Sequence, residues 1–78
     1  MENEFIRKLA EALELEENKI STSDKFKEYE EWDSLAVLSV LAMINEEFDI
    51  TIPRQDFEKL ETVKDIYNYI IEKRGRNG

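Results

Sequence analysis

Apolar residues recur with the period of a helix in three long stretches of this chain and one short one. In residues 2–15, Phe5, Ile6, Leu9 and Leu13 fall on one side, with Ala10 and Ala12 flanking, the signature of an amphipathic helix. Glu2 and Glu4 stand in its first turn, where acids favour the positive end of the helix dipole. Glu4 with Lys8 and Arg7 with Glu11 have the i,i+4 spacing of weak helical ion pairs. The densest stretch is residues 34–48. It opens SLAVLSVLAMI, in which nine of eleven residues are apolar. Val37, Leu41, Ile44 and Phe48 share one helical spacing, and Leu35, Leu38 and Ala42 share another. A helix apolar around most of its circumference must be covered on several sides or must offer a face to a partner. Asp33 and Ser34, just ahead of it, are both good N-cap residues.

The last long stretch starts at Thr62, an N-cap with Asp65 three residues on as a variant capping box. Val63, Ile66, Tyr67, Ile70 and Ile71 make its apolar face, and Tyr67 is expected to pack in the core. Lys73 and Arg74 suit the negative end of the dipole, Gly75 is the expected stop, and the tail at about 75–78 is expected to fray. Residues 16–33 form a long connection. Ser21, Thr22, Ser23 and Asp24 are turn formers, while Ile20, Phe26, Tyr29 and Trp32 are apolar enough to pin the loop onto the helices. Residues 50–53, ITIP, read as an extended exit, since Pro53 pushes Ile52 away from helical torsions and there is no second strand to pair with it. Asp56–Leu60 is a short helical turn at best. The expected fold is all-α: a small four-helix bundle of three main helices and one short helix, with a long first loop, in one domain spanning 1–78.

Composition narrows the function. Seventy-eight residues support one modest core. Nineteen acids against eleven bases give a formal charge of −8, which argues against nucleic acid and favours partners with basic faces. Glu28, Glu30, Glu31 and Asp33 put four of those acids just ahead of Ser34, either a solvated run or a docking surface. The chain has no Cys and no His, which excludes disulfides and thiol catalysis and disfavours zinc. No apolar run has the length of a membrane span or the form of a signal peptide, so no membrane insertion and a cytoplasmic address are expected.

Catalysis fares poorly. A nucleophilic serine needs a base within reach, and a Ser–His pair is impossible here. Asp33 adjoins Ser34, but a carboxylate alone is a poor base for an ordinary hydroxyl. There is no Gly-rich phosphate loop and no EF-hand pattern. Ser34 therefore reads as a substrate for another enzyme, or as a cap alone. In that second reading the chain is a non-enzymatic helical interaction module whose apolar stripe grips an amphipathic segment.

The triplet Asp33-Ser34-Leu35, followed by an apolar helix and by FDITIP, resembles the acyl carrier proteins over nearly the whole chain. The resemblance implies a carrier and not an enzyme. In such carriers a phosphopantetheinyl transferase uses Mg²⁺ to bring the serine, here Ser34, onto the pyrophosphate of coenzyme A. A 4′-phosphopantetheine arm is left on that serine through a phosphodiester. Its thiol carries an acyl or aminoacyl group as a thioester, so the chain needs no Cys of its own. Asp33 and Leu35 are the motif neighbours. Trp32, Ala36, Val37, Val40, Glu46, Glu47 and Asp49 are the expected contacts for acyl- or aminoacyl-loading and acyl-processing enzymes. A monomer is expected, with dimerisation through an exposed apolar face as the other possibility.

Two departures from the family pattern stand out. Trp32 occupies a position where many carriers have glycine. Ala36, Ser39 and Asn45 are uncharged where carriers of fatty-acid synthesis usually place acids, and only Glu46, Glu47 and Asp49 keep that pattern. The face near Ser34 is thus more apolar, closer to peptidyl carriers, which points to a specialised biosynthetic pathway. An acid placed at Ala36 or Ser39 is expected to weaken docking.

Overall fold

The computed structural model describes residues 2–77, with side chains through Arg74. Helices α1 (Glu2–Leu13), α2 (Ser34–Phe48), α3 (Arg54–Phe57) and α4 (Val63–Asn77) form the expected small bundle, with no strand among the described residues. α1 buries Phe5, Leu9, Ala10 and Leu13 against α2, which turns Ala36, Val40, Met43, Ile44 and Phe48 inward. α4 contributes Val63, Ile66 and Ile70, all fully buried. Ile71, expected on the same face, lies at its edge and is exposed. Tyr67 packs its ring against Phe5 at 5.6 Å, as its place in the pattern implies.

α1 ends at Leu13, two residues short of the expected range 2–15. Glu14 takes a left-handed conformation, φ 58°, and the Leu15 N–H reaches back to the Ala10 carbonyl at 2.9 Å while the Glu14 N–H reaches Glu11. This is a Schellman ending with glutamate where glycine is usual. Lys8 does not pair with Glu4 along the helix. It crosses to Glu47 of α2 at 3.5 Å.

The long first loop is folded onto the bundle by the residues expected to pin it. Phe26 and Ile20 are buried, and Tyr29 and Trp32 are half-buried against the core. Two 3₁₀ turns, Glu17–Lys19 and Phe26–Glu28, shorten its path. The loop is also strapped to the start of α4. The Val63 N–H donates to the Asp24 carbonyl and the Lys64 N–H to the Thr22 carbonyl, both at 2.9 Å, beside a single antiparallel bridge between Lys25 and Thr62. Otherwise orphan N–H groups of the α4 first turn thus find acceptors in the loop. Tyr29 adds a hydrogen bond from its hydroxyl to Asp24 at 2.7 Å. Burial, reinforced by that carboxylate, pushes the Tyr29 phenol well above its ordinary range.

The exit from α2 is extended, with Ile50 and Ile52 buried. α3 begins at Arg54, earlier than the turn expected from Asp56, because Pro53 at φ −59° stands at its start and accepts the Phe57 N–H. The capping box of α4 forms as its spacing implies. Thr62 Oγ1 accepts the Asp65 N–H, and Asp65 Oδ2 accepts the N–H groups of Thr62 and Glu61 at 3.1 and 3.0 Å. Those backbone donors, Thr62 foremost, hold the Asp65 carboxyl below its ordinary value. α4 does not stop at Gly75. No glycine among the described residues takes the left-handed conformation that ends a helix, and helical backbone runs to Asn77. Gly78, the end of the tail expected to fray, lies outside the described residues.

Candidate functional site

The chain enters α2 through an aromatic clamp. Trp32, at the position where many carriers have glycine, sets its ring edge-on to Phe26 at 4.9 Å and stacked on Phe57 at 6.1 Å, while Phe26 and Phe57 meet at 5.6 Å. Its N–H donates to the Tyr29 carbonyl at 3.0 Å. The loop, the helix entry and α3 are joined through these three rings. Trp32 is therefore half-buried in an internal contact, which leaves only part of its ring for a partner.

The next residue makes the cap. Asp33 is extended, φ −151°, and its Oδ1 accepts the Ala36 N–H at 2.8 Å, while its carbonyl accepts the Val37 N–H. Ser34 is the first helical residue and is exposed. Among the described residues nothing hydrogen-bonds its hydroxyl. Two capping candidates stand side by side in the sequence, and the structure gives the work to Asp33. The reading in which Ser34 serves only as a cap loses its ground.

Ser34 is followed by Leu35, 72% exposed, and one turn on by Leu38, 56% exposed. These are the large apolar side chains that α2 leaves in water. The expected partner face is corrected here. Val40 is fully buried and Ala36 nearly so, because the inward stripe of α2 runs through 36, 40, 43, 44 and 48. Their side chains face the core, and of the two only Ala36 borders an open groove. Val37 is half-buried. Leu38 is not among the expected contacts, yet it shares the exposed side of α2 with Leu35. Glu46 is exposed. Glu47 holds Lys8, and Asp49 takes the left-handed position that ends α2, φ 57° and ψ 40°, with its N–H on the Asn45 carbonyl. Asp tolerates that conformation better than most residues. Glu47 and Asp49, at this unfavourable end of the dipole, thus have local structural work.

Shallow grooves border the site on the α1 side. One, of about 340 Å³, is lined by Ala12, Leu13, Asp33, Leu35, Ala36 and Ser39, with Glu14 and Glu31 at its rim. A second, of about 310 Å³, continues from Ala12 and Ser39 toward Met43 and Glu46. Tyr69 lies in a third depression beyond α3, its hydroxyl on Asp56 at 3.0 Å. Burial and that carboxylate raise its phenol above the ordinary value.

The site thus offers an exposed, unengaged hydroxyl at the head of a helix with two exposed leucines. The family model for the phosphopantetheine attachment site matches residues 3–70. The acyl carrier protein of Borreliella burgdorferi strain ZS7 is 34% identical over 67 residues, covering 86% of this chain and 84% of that one. The acyl carrier protein of Bdellovibrio bacteriovorus is 35% identical over 68 residues, covering 87% and 86%. The chain belongs to the phosphopantetheine-attachment family of acyl carrier proteins, which are carriers and not enzymes and whose prosthetic group is covalently attached 4′-phosphopantetheine. Among the described residues no helix is long and apolar enough to cross a membrane.

Proposed function

We propose that Ser34 is the residue that takes the phosphopantetheine arm, and that the chain carries acyl or aminoacyl groups for a specialised biosynthetic pathway. The observation that supports the attachment is the division of labour at the helix start: Asp33 caps, and the Ser34 hydroxyl is exposed and unengaged. The surroundings fit a phosphodiester. The N–H groups of Ser34 and Leu35, at the first two helical positions, have no acceptor within the helix and lie at its positive end. When attached, the group supplies a terminal thiol on a flexible arm, on which cargo travels as a thioester. Asp33 keeps the helix start closed, Trp32 fixes the entry loop, and Leu35 and Leu38 give enzymes an apolar grip. The partners are a phosphopantetheinyl transferase and the enzymes that load and process the cargo.

The uncharged positions Ser39 and Asn45 are exposed, and they support a partner that reads apolar contact more than charge. An acid at Ser39 tests this by weakening docking. The same change at Ala36 does not, since that side chain is buried and an acid there disrupts the helix packing. The attachment itself is tested by intact mass before and after incubation with coenzyme A, Mg²⁺ and a broad-specificity transferase. The native chain is expected to gain one phosphopantetheine and Ser34→Ala none. A gain in both, or in neither with an active transferase, counts against Ser34.

A further inference from the structure

The two sides of Ser34 are built differently. On the α3 side the rings of Trp32, Phe26 and Phe57 are packed against one another, with centroids 4.9–6.1 Å apart. On the α1 side a groove opens whose lining includes both neighbours of Ser34, Asp33 and Leu35. Its floor is apolar, from the buried Leu13 and Ala36, and its α2 wall is neutral at Ser39. It runs on, through the shared residues Ala12 and Ser39, into a depression lined by Ala42 and Met43 and by the charged Lys8, Glu11, Glu46 and Glu47. Between Leu35 and Glu46 a helix rises about 16 Å.

Resting on the assignment of Ser34, we infer that the α1–α2 groove is a docking site for the attached arm, which lies along α2 away from the aromatic clamp. The occupant is fixed by tethering. A group bound at Ser34 meets the groove at high effective concentration, so weak contacts suffice. Length matches as well: the arm is about twelve bonds long, the reach of roughly four extended residues, about 14 Å. Chemistry matches too. The arm between phosphate and thiol is uncharged, with a dimethyl carbon that suits the floor of Leu13 and Ala36. It also has amide N–H groups that suit the exposed carboxylates of Glu14 and Glu31 at the rim.

The test compares ¹⁵N-labelled protein before and after loading with coenzyme A, Mg²⁺ and a transferase, with intact mass read on each sample. In the loaded protein, amide shifts at Ala12, Leu13 and Ser39 are expected, with NOEs from the arm's methyl protons to Ala12 and Ala36. Ser39→Trp fills the groove at an exposed position. In its loaded fraction, folded by circular dichroism, those NOEs are expected to vanish. Loading with shifts confined to residues 33–36, or with NOEs to Trp32 and Phe57, overturns the groove while leaving Ser34 in place. No gain in mass overturns the assignment of Ser34 and the groove with it.

Discussion

Replacing Asp33 and Ser34 separately by alanine distinguishes two residues that the sequence presents as equals. Asp33→Ala removes the carboxylate that accepts the Ala36 N–H at 2.8 Å. Loss of an N-cap costs about 1 kcal/mol, within a range of roughly 0.5–2. In a domain this small that lowers Tm by roughly 4–8 °C. Ser34→Ala breaks no hydrogen bond among the described residues, and alanine is the better helix former, so the change stays within about 0.5 kcal/mol. Asp33→Asn, which caps about as well, restores most of the loss. Urea unfolding followed by helical ellipticity measures all three. Loading is read in parallel. Ser34→Ala is expected to be native in stability and dead as an acceptor, and Asp33→Asn close to native in stability. If Ser34→Ala proves as destabilising as Asp33→Ala, the cap has been assigned to the wrong residue, and the argument for a spare hydroxyl fails with it.

Other substitutions probe the rest of the account. Val40→Ala empties a fully buried site and is expected to cost about 2 kcal/mol in urea unfolding, whereas Leu35→Ala and Leu38→Ala shift stability by less than about 0.5 kcal/mol and slow transfer by partner enzymes. Glu14→Gly relieves the left-handed conformation at φ 58° and is expected to stabilise by about 0.5–1 kcal/mol, raising the urea midpoint. The Asp65 carboxyl titrates below its ordinary value of 3.8 in the fold. Its contribution is therefore fully present above that value and lost as pH falls through the lower, folded one. Asp65→Asn is expected to lower stability at neutral pH and to flatten the fall in acid, read as Tm against pH.

Periodicity exposed most of the fold, because helix faces are a local property. Phe5, Leu9 and Leu13, the run from Val63 to Ile70, and the Thr62–Asp65 box all stand where their spacing puts them. The loop anchors Ile20, Phe26, Tyr29 and Trp32 were legible for the simpler reason that large apolar groups do not stay in water. Helix ends were harder. Glu14 and Asp49 hold left-handed turns without glycine, and Gly75, the residue that looks like a stop, lies inside the helix. Conformation there depends on backbone bonds such as Leu15 to Ala10, which the pattern of side chains does not show. The site was legible at Ser34 and blurred around it. α2 is apolar on nearly every face, so its sequence alone does not say whether Val40 or Leu38 looks outward. That is decided by where α1 and α4 pack. The roles of Trp32 and Asp33 likewise became clear only once Phe57 and the Ala36 N–H were in place beside them.

The measurement closest to the central claim is to locate the added group. The native chain is loaded with coenzyme A and transferase, digested, and fragmented in the mass spectrometer. The account predicts one phosphopantetheine on the peptide containing Ser34, localised to that hydroxyl, with Ser21, Ser23 and Ser39 unmodified. The group on any other hydroxyl, or a folded chain left unmodified by an active transferase, would contradict it.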